Sequence, residues 1–392
     1  MSKPAVDKER AISNLIELLA VPGVSCEERE IAGKIIEILR RHGLPKKAVA
    51  FDSAHKKSAA GGEVGNLIVK LPGTIKGPRR MLLAHMDTVP ICCGSKPVRR
   101  GKFIVSARKS AGVGADNRSG VGAVVSAVVE ILERKLPHPP LTLLFTVQEE
   151  IGLIGARHVN VRMLGSPKLA FNWDGGAPGC VEIGATGGDH LDIDVTGIPA
   201  HAGGQPEQGA SASTITGLAI ADLERNGWLG LVMKGGIRGT SNIGIIEGGN
   251  ATNVVMDRLH IAGECRSYSV ALRRRIAEAY RKAFEKAARL VATSENEHGS
   301  VVVTCTKKYE AFRLPKKSPC MNEVTRALQS LGMRAELDFS NGGLDANWLA
   351  ERGIYTATLG AGSLNAHTAN DRVVVDEYLS GCRVALALAT GM

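Results

Sequence analysis

The chain has 392 residues, 44% apolar, 22% charged and 4% aromatic, too many for one ordinary core, so two domains are expected. A net charge of +10 raises nucleic acid as a partner, but the basic residues spread over helix faces with Glu interleaved, as in "LRRRIAEAYRKAFEKAARL". No RNA-binding aromatic signature or zinc-finger spacing accompanies them, and a nucleic-acid partner is set aside.

The segment 5–20 reads as an amphipathic helix without a signal-peptide apolar block. In "SCEEREIAGKIIEILRRHG", Ser25 and Glu28 make a capping-box pattern, Ile31, Ile35 and Leu39 form a stripe, and Gly43 is a stop. Strands are expected at 66–72 and 80–85, a helix at 118–136, and buried strands at 141–150 and 169–176. Near-continuous apolar strands between helices predict a mixed, mostly parallel α/β sheet with helices on both faces. From residue 190 the pattern changes to an alternating strand (190–198), a helix (211–226), strands near 241–247 and 258–265, a long helix (268–294) and a strand (300–309). That is the β-α-β-β-α-β order of a ferredoxin-like α+β domain. A helix at 320–332, a strand at 353–360 and a helix from 375 resume the first style. The expected division is therefore a larger domain, 1–187 and 312–392, interrupted by an inserted domain, 188–311.

The eight cysteines contain no C-x-x-C pair, and the adjacent Cys92 and Cys93 suit neither a structural zinc site nor a disulfide. Reduced thiols in a cytoplasm are expected. No run is long enough to cross a membrane, so no membrane partner is expected either.

The chemistry gathers at strand ends of the larger domain. In "LLAHMDTVP", His85 and Asp87 sit two apart and point to one face of an extended chain. They read either as a metal ligand held by a carboxylate or as an ordinary histidine bonded to an ordinary aspartate. Asp116 lies in the glycine-lined "GVGADNRSGVGA", Glu149 and Glu150 end "LLFTVQEE", Asp174 ends "LAFNWDGG", and His367 follows the strand "YTATLG". Open α/β sheets bind ligands beyond the carboxyl ends of their strands. One aspartate there is usually a cap or turn residue. A whole set of metal-capable ends, none of them Lys, points to a metal centre. Imidazole with carboxylate suits zinc, and two divalent ions need a bridging carboxylate, terminal ligands and an acid to spare as base. Glu149 and Glu150 divide those last duties, and spacing does not say which does which. The glycine loop fails both G-x-G-x-x-G and the phosphate loop, and no G-x-S-x-G is present.

Taken in order, "AHMDT", "GADNRSGVGA", "FTVQEEIGLIGA", "WDGG", "PAHAG", "GGNATNVV", "GGLDAN" and "AHTANDRV" resemble the zinc peptidases related to peptidase T, carboxypeptidase G and acetylornithine deacetylase, the peptidase T branch most. The resemblance covers essentially the whole chain. It implies two Zn2+ per subunit, with Co2+ or Mn2+ as substitutes: one zinc on His85 and Asp174, the other on Glu150 and His367, with Asp116 bridging. It further implies that Asp87 orients His85, that Glu149 is the general base, and that the Asp116–Asn117 peptide is cis. The inserted domain becomes a lid that pairs subunits into a homodimer, with His201 stabilising the oxyanion and Asn253 contacting the substrate carbonyl; Arg266 reads as structural. Many peptide-cleaving relatives carry arginine where this chain has Asn341, and an amide cannot make the guanidinium fork on a carboxylate. The implied activity is an aminopeptidase on short peptides, with an N-acyl amino acid deacylase as the rival enzyme and an inactive dimeric peptide-binding homologue as the non-enzyme alternative.

Overall fold

A computed structural model describes residues 5–391. The chain divides into two compact units, the second made of Ala185–Phe312 with Asn341–Gly343 and the first of the remainder.

The first unit is mixed α/β. Its nine-stranded sheet runs, through the middle, Leu67–Leu71, Leu141–Thr146, Arg80–His85, Leu169–Gly175, Thr356–Gly360 and Cys180–Ala185. Arg80–His85 is parallel to both its neighbours, with Leu82 opposite Leu143 and Phe171, and all of its residues are buried. Such a strand needs cover on both faces, hence its unbroken apolar run. The outer pairs turn antiparallel, as between Leu67–Leu71 and Leu141–Thr146 and between Thr356–Gly360 and Cys180–Ala185. The helix Ala115–Arg134 is buried on nearly every side. It lies so close to the sheet that a Cβ on Gly120 would stand 2.3 Å from the Trp173 carbonyl oxygen, so only glycine fits there.

Two expectations for this unit fail for reasons that bear on the site. The strand read as 141–150 ends at Thr146. The next residues leave the sheet because their N–H groups go to side chains: Val147 donates to the Asn66 amide oxygen at 3.2 Å, Gln148 to Glu28 at 3.0 Å, and Glu149 and Glu150 to Asp87 at 3.1 and 3.2 Å. The capping box does not form either. The helix starts at Arg29 without a side-chain cap. Ser25 instead donates to Asp87 at 2.6 Å, while Glu28, wholly buried, takes the Cys26 and Gln148 N–H groups on one oxygen. A four-stranded sheet of short strands, from Pro97–Arg100 to Ser363–Leu364 and Arg372–Val374, was not anticipated. It closes the 365–371 loop that carries His367.

The second unit has an antiparallel sheet in the order Gly230–Lys234, Ile237–Gly248, Arg258–Ser267, Gly187–Thr196, Ser300–Tyr309. Leu191, Ile193 and Val195 alternate inward from one strand, and Ile276, Tyr280, Phe284 and Ala287 form the facing stripe of helix Val270–Leu290. Compared with the expected β-α-β-β-α-β order there is one extra strand, Gly230–Lys234. It joins the next through Gly235 and Gly236, both at positive φ (61° and 74°), the backbone a two-residue hairpin turn demands. Asn341 belongs to this unit, its carbonyl accepting the Thr186 hydroxyl at 3.0 Å.

No helix among the described residues is long and apolar enough to cross a membrane.

Candidate metal centre

His85 closes its strand 2% exposed. Its Nε2 faces two carboxylates, 3.1 Å from Asp116 Oδ1 and 3.4 Å from Asp174 Oδ1, while Nδ1 stands 3.4 Å from Asp87 Oδ1. The other oxygen of Asp116 faces a different imidazole, His367 Nε2 at 3.5 Å, and that nitrogen is 3.0 Å from Glu150. Two groups result, His85–Asp116–Asp174 and Asp116–Glu150–His367, each with its ligand atoms within 4.8 Å of one another. Asp116 is the shared member. The Asp116–Asn117 peptide is cis, and Asn117 donates to the Trp173 carbonyl at 2.6 Å.

Electrostatics show what is packed here. Burial works against a charged His85, yet the carboxylates of Asp174, Glu149 and Asp116 hold its pKa well above the ordinary imidazole value. Bonding to Asp116, reinforced by the charge of Glu150, raises His367 to about 9 against a burial effect of opposite sign. Burial and the Asp116 charge push Glu150 up to about 7, the imidazoles opposing. Burial likewise lifts Glu149 well above the carboxylate range, with the charges of Asp174, Asp345 and Glu150 adding to it. Crowded acids of this kind call for cations among them. The nitrogen and oxygen donors, with Asp116 between two terminal pairs, fit a pair of zinc-like divalent ions.

Asp87 is the hub behind the centre. Wholly buried, it lies beside His85 Nδ1 and gathers the Ser25 hydroxyl and the N–H groups of both Glu149 and Glu150. One carboxylate thus ties down the turn bearing both glutamates and stands beside the imidazole, the place from which an outer carboxylate can orient a ligand. Glu149 belongs to neither metal-capable group.

Three carboxylates here were given no part in the site by the sequence, although Glu28 was read as half of a capping box. Asp371 accepts the Gly114 and Ala115 N–H groups at 2.7 and 2.9 Å and so fixes the approach to Asp116. Asp345, 1% exposed, accepts the Thr146 hydroxyl, and burial pushes it up to about 7. Glu28 is raised to about 7 by burial and by the Asp87 charge. In the unfolded chain Glu28 ionises near its ordinary value, so between about pH 4.5 and 7 that chain releases a proton which the folded one keeps. Stability therefore falls as pH rises through that window. Glu28→Gln keeps the acceptor for both N–H groups and replaces an oxygen that has no partner. Thermal unfolding of chelator-treated protein is expected to give equal melting temperatures near pH 5 and a higher one for the variant at pH 8; a lower one at pH 8 refutes the assignment.

His201 and Asn253 lie together on the second unit. His201 Nδ1 accepts the Gly203 and Gly204 N–H groups at 3.1 and 2.9 Å, and the Asn253 carbonyl accepts the Ala202 N–H at 3.0 Å. Arg266 holds Glu264 through two bonds of 2.8 and 3.0 Å.

The sequence profile of "Peptidase family M20/M25/M40" matches residues 81–391. A Bacillus subtilis protein named "Uncharacterized protein YqjE" is 29% identical over 384 residues, 98% of each chain. Among solved structures, the aminopeptidase PepT of Bacillus cereus is 30% identical, with a TM-score of 0.83 and 98% of each chain covered. A tripeptidase of Staphylococcus aureus is 27% identical, with a TM-score of 0.86, covering 98% of this chain and 99% of the other.

Proposed function

Because this chain belongs to peptidase family M20/M25/M40, we propose that it is a two-zinc aminopeptidase releasing N-terminal residues from short peptides. His85 and Asp174 would hold one ion, Glu150 and His367 the other, and Asp116 would bridge; cobalt or manganese could stand in for zinc. The observation that carries the reading is Asp116, whose two oxygens face His85 and His367 separately. When bound, the cations supply Lewis acidity toward the scissile carbonyl and make water acidic enough to lose a proton near neutral pH. Asp87 keeps His85 in one orientation. Glu149, raised in pKa and outside both ligand groups, takes the proton from the attacking water and returns it to the leaving amine. On the second unit, His201 is assigned to the oxyanion and Asn253 to the substrate carbonyl. That unit is assigned the roles of lid and homodimer surface, and free thiols support a cytoplasmic setting.

Asn341 favours a second reading, an N-acyl amino acid deacylase on the same centre, since no guanidinium stands there to grip a peptide carboxylate. A peptide-library digest read by mass spectrometry separates the two: loss of single N-terminal residues supports the first reading, and cleavage confined to N-acyl amino acids defeats it. Chelation is expected to abolish hydrolysis and zinc or cobalt to restore it; full activity without metal would refute the centre.

A further inference from the structure

The face of the sheet beside Asp174 carries acceptors that lack donors. Across three strands the register aligns Asn172 with Thr358, and Thr358 with Glu182. Side chains at paired positions stand on one face, and the Asn172 amide accordingly donates to the Thr358 hydroxyl at 3.3 Å. Asp174, two residues beyond Asn172, shares that face and also draws a hydrogen bond from the Asn172 amide. The NH2 group of Asn172 is thereby committed. Its carbonyl Oδ1, on a residue 1% exposed, has no donor, and neither has the buried Oε2 of Glu182. Burial, with the negative charges of Asp174 and Asp338, pushes the Glu182 carboxyl up to about 8, and no cationic side chain is among the groups acting on it.

We propose that Asn172 and Glu182 form a subsite for the free α-ammonium group of a peptide substrate, beside the metal centre. This rests on the aminopeptidase reading and names what that reading leaves open, how the amino terminus is recognised. A small, donor-rich cation answers both vacant oxygens and offsets the negative charges of Asp174 and Asp338 that crowd Glu182. A primary ammonium offers three N–H donors to such a pair, with a charge-assisted bond to the carboxylate. A third metal ion is a poor match: Glu182 joins no metal-capable group among the described residues. Position agrees with the chemistry. In an α-amino acid residue the nitrogen lies two bonds from the carbonyl carbon that is attacked, so it must be held close to the cations, and Asp174 is the first-cluster residue nearest along this strand. An N-acylated substrate brings only a neutral amide N–H, and its added acyl carbonyl would meet the unpaired oxygens as one more acceptor.

The test uses metal-loaded wild-type protein, Glu182→Gln and Glu182→Asp, with trialanine and N-acetyl-trialanine as the two probes. Glu182→Gln is expected to raise KM for trialanine about ten- to a hundredfold, with kcat within a few-fold and slow cleavage of the acetylated peptide unchanged. Glu182→Asp, which keeps the charge, is expected to fall between. Equal losses on both peptides would mark Glu182 as structural, and no loss would mark it as idle; either overturns the subsite while the aminopeptidase reading stands. A wild-type protein that prefers the acetylated probe, or cleaves neither, defeats the reading itself and the subsite with it.

Discussion

Glu149→Gln is expected to keep its bound cations and to lower kcat about a thousandfold, within the span that removal of a general base produces. The substitution changes one oxygen to an NH2 group. It leaves the backbone N–H of residue 149 on Asp87, so the turn that presents Glu150 to His367 holds its place. Glu149 is a member of neither ligand group, which is why metal content, read by elemental analysis, should match the parent. What is lost is proton affinity. Burial and the neighbouring charges of Asp174, Asp345 and Glu150 give this carboxylate an unusually strong hold on a proton, and an amide cannot take one from water. The loss should fall on kcat with KM little moved, since the ground state is held by other groups. Wild-type turnover in the variant removes Glu149 from the chemistry; loss of cations would instead make it a ligand. Glu150→Gln is the control, because there the metal content itself should fall.

Much of this centre was legible in the sequence because its side chains sit where strands stop, and long apolar strands announce their own ends. His85 ends the strand Arg80–His85, and Asp174 lies one residue short of the end of Leu169–Gly175, both strands that the apolar pattern marks. The turn at 147–150 was not readable: in "LLFTVQEE" Val147 extends the β-branched pattern past Thr146, and no Gly or Pro marks a stop. What bends it out of the sheet is a set of side chains from elsewhere, Asn66, Glu28 and Asp87, whose claim on those N–H groups leaves no local trace. Ser25 and Glu28 misled for the same reason. Their spacing is that of a capping box, yet a buried Asp87 competes for the hydroxyl and Gln148 for the carboxylate, and tertiary partners win over a local cap worth about 1 kcal/mol. Asp345 and Asp371 look like ordinary loop aspartates until folding brings Thr146 and Gly114 to them. The strand Gly230–Lys234 is a different case. Gly235 and Gly236 were a visible turn signal between apolar stretches, and the pair implied a hairpin on its own.

Asp116→Ala is expected to cost both cations, and with them hydrolysis, where His367→Ala costs one. The asymmetry follows from geometry. Asp116 is the only residue common to the two groups, with one oxygen toward His85 and the other toward His367. Its removal leaves each cation with one imidazole and one carboxylate, half of what a four-coordinate zinc ion requires. The loss is also electrostatic. Despite a burial effect in the other direction, bonds from His367 and His85 hold the Asp116 carboxyl well below the usual carboxylate range. It therefore stays a full negative charge through any working pH, and its deletion removes that charge from between two cation positions. His367 is half exposed at the rim and touches one group only, so the pair on His85 and Asp174 keeps its bridge when the imidazole goes. Elemental analysis after dialysis against limiting zinc should then rank parent, His367→Ala and Asp116→Ala in descending order. Thermal unfolding in chelator separates a lost site from a lost fold: the three metal-free proteins should melt within a few degrees of one another. Should Asp116→Ala retain as much metal as His367→Ala, Asp116 serves one cation and the two groups are independent sites.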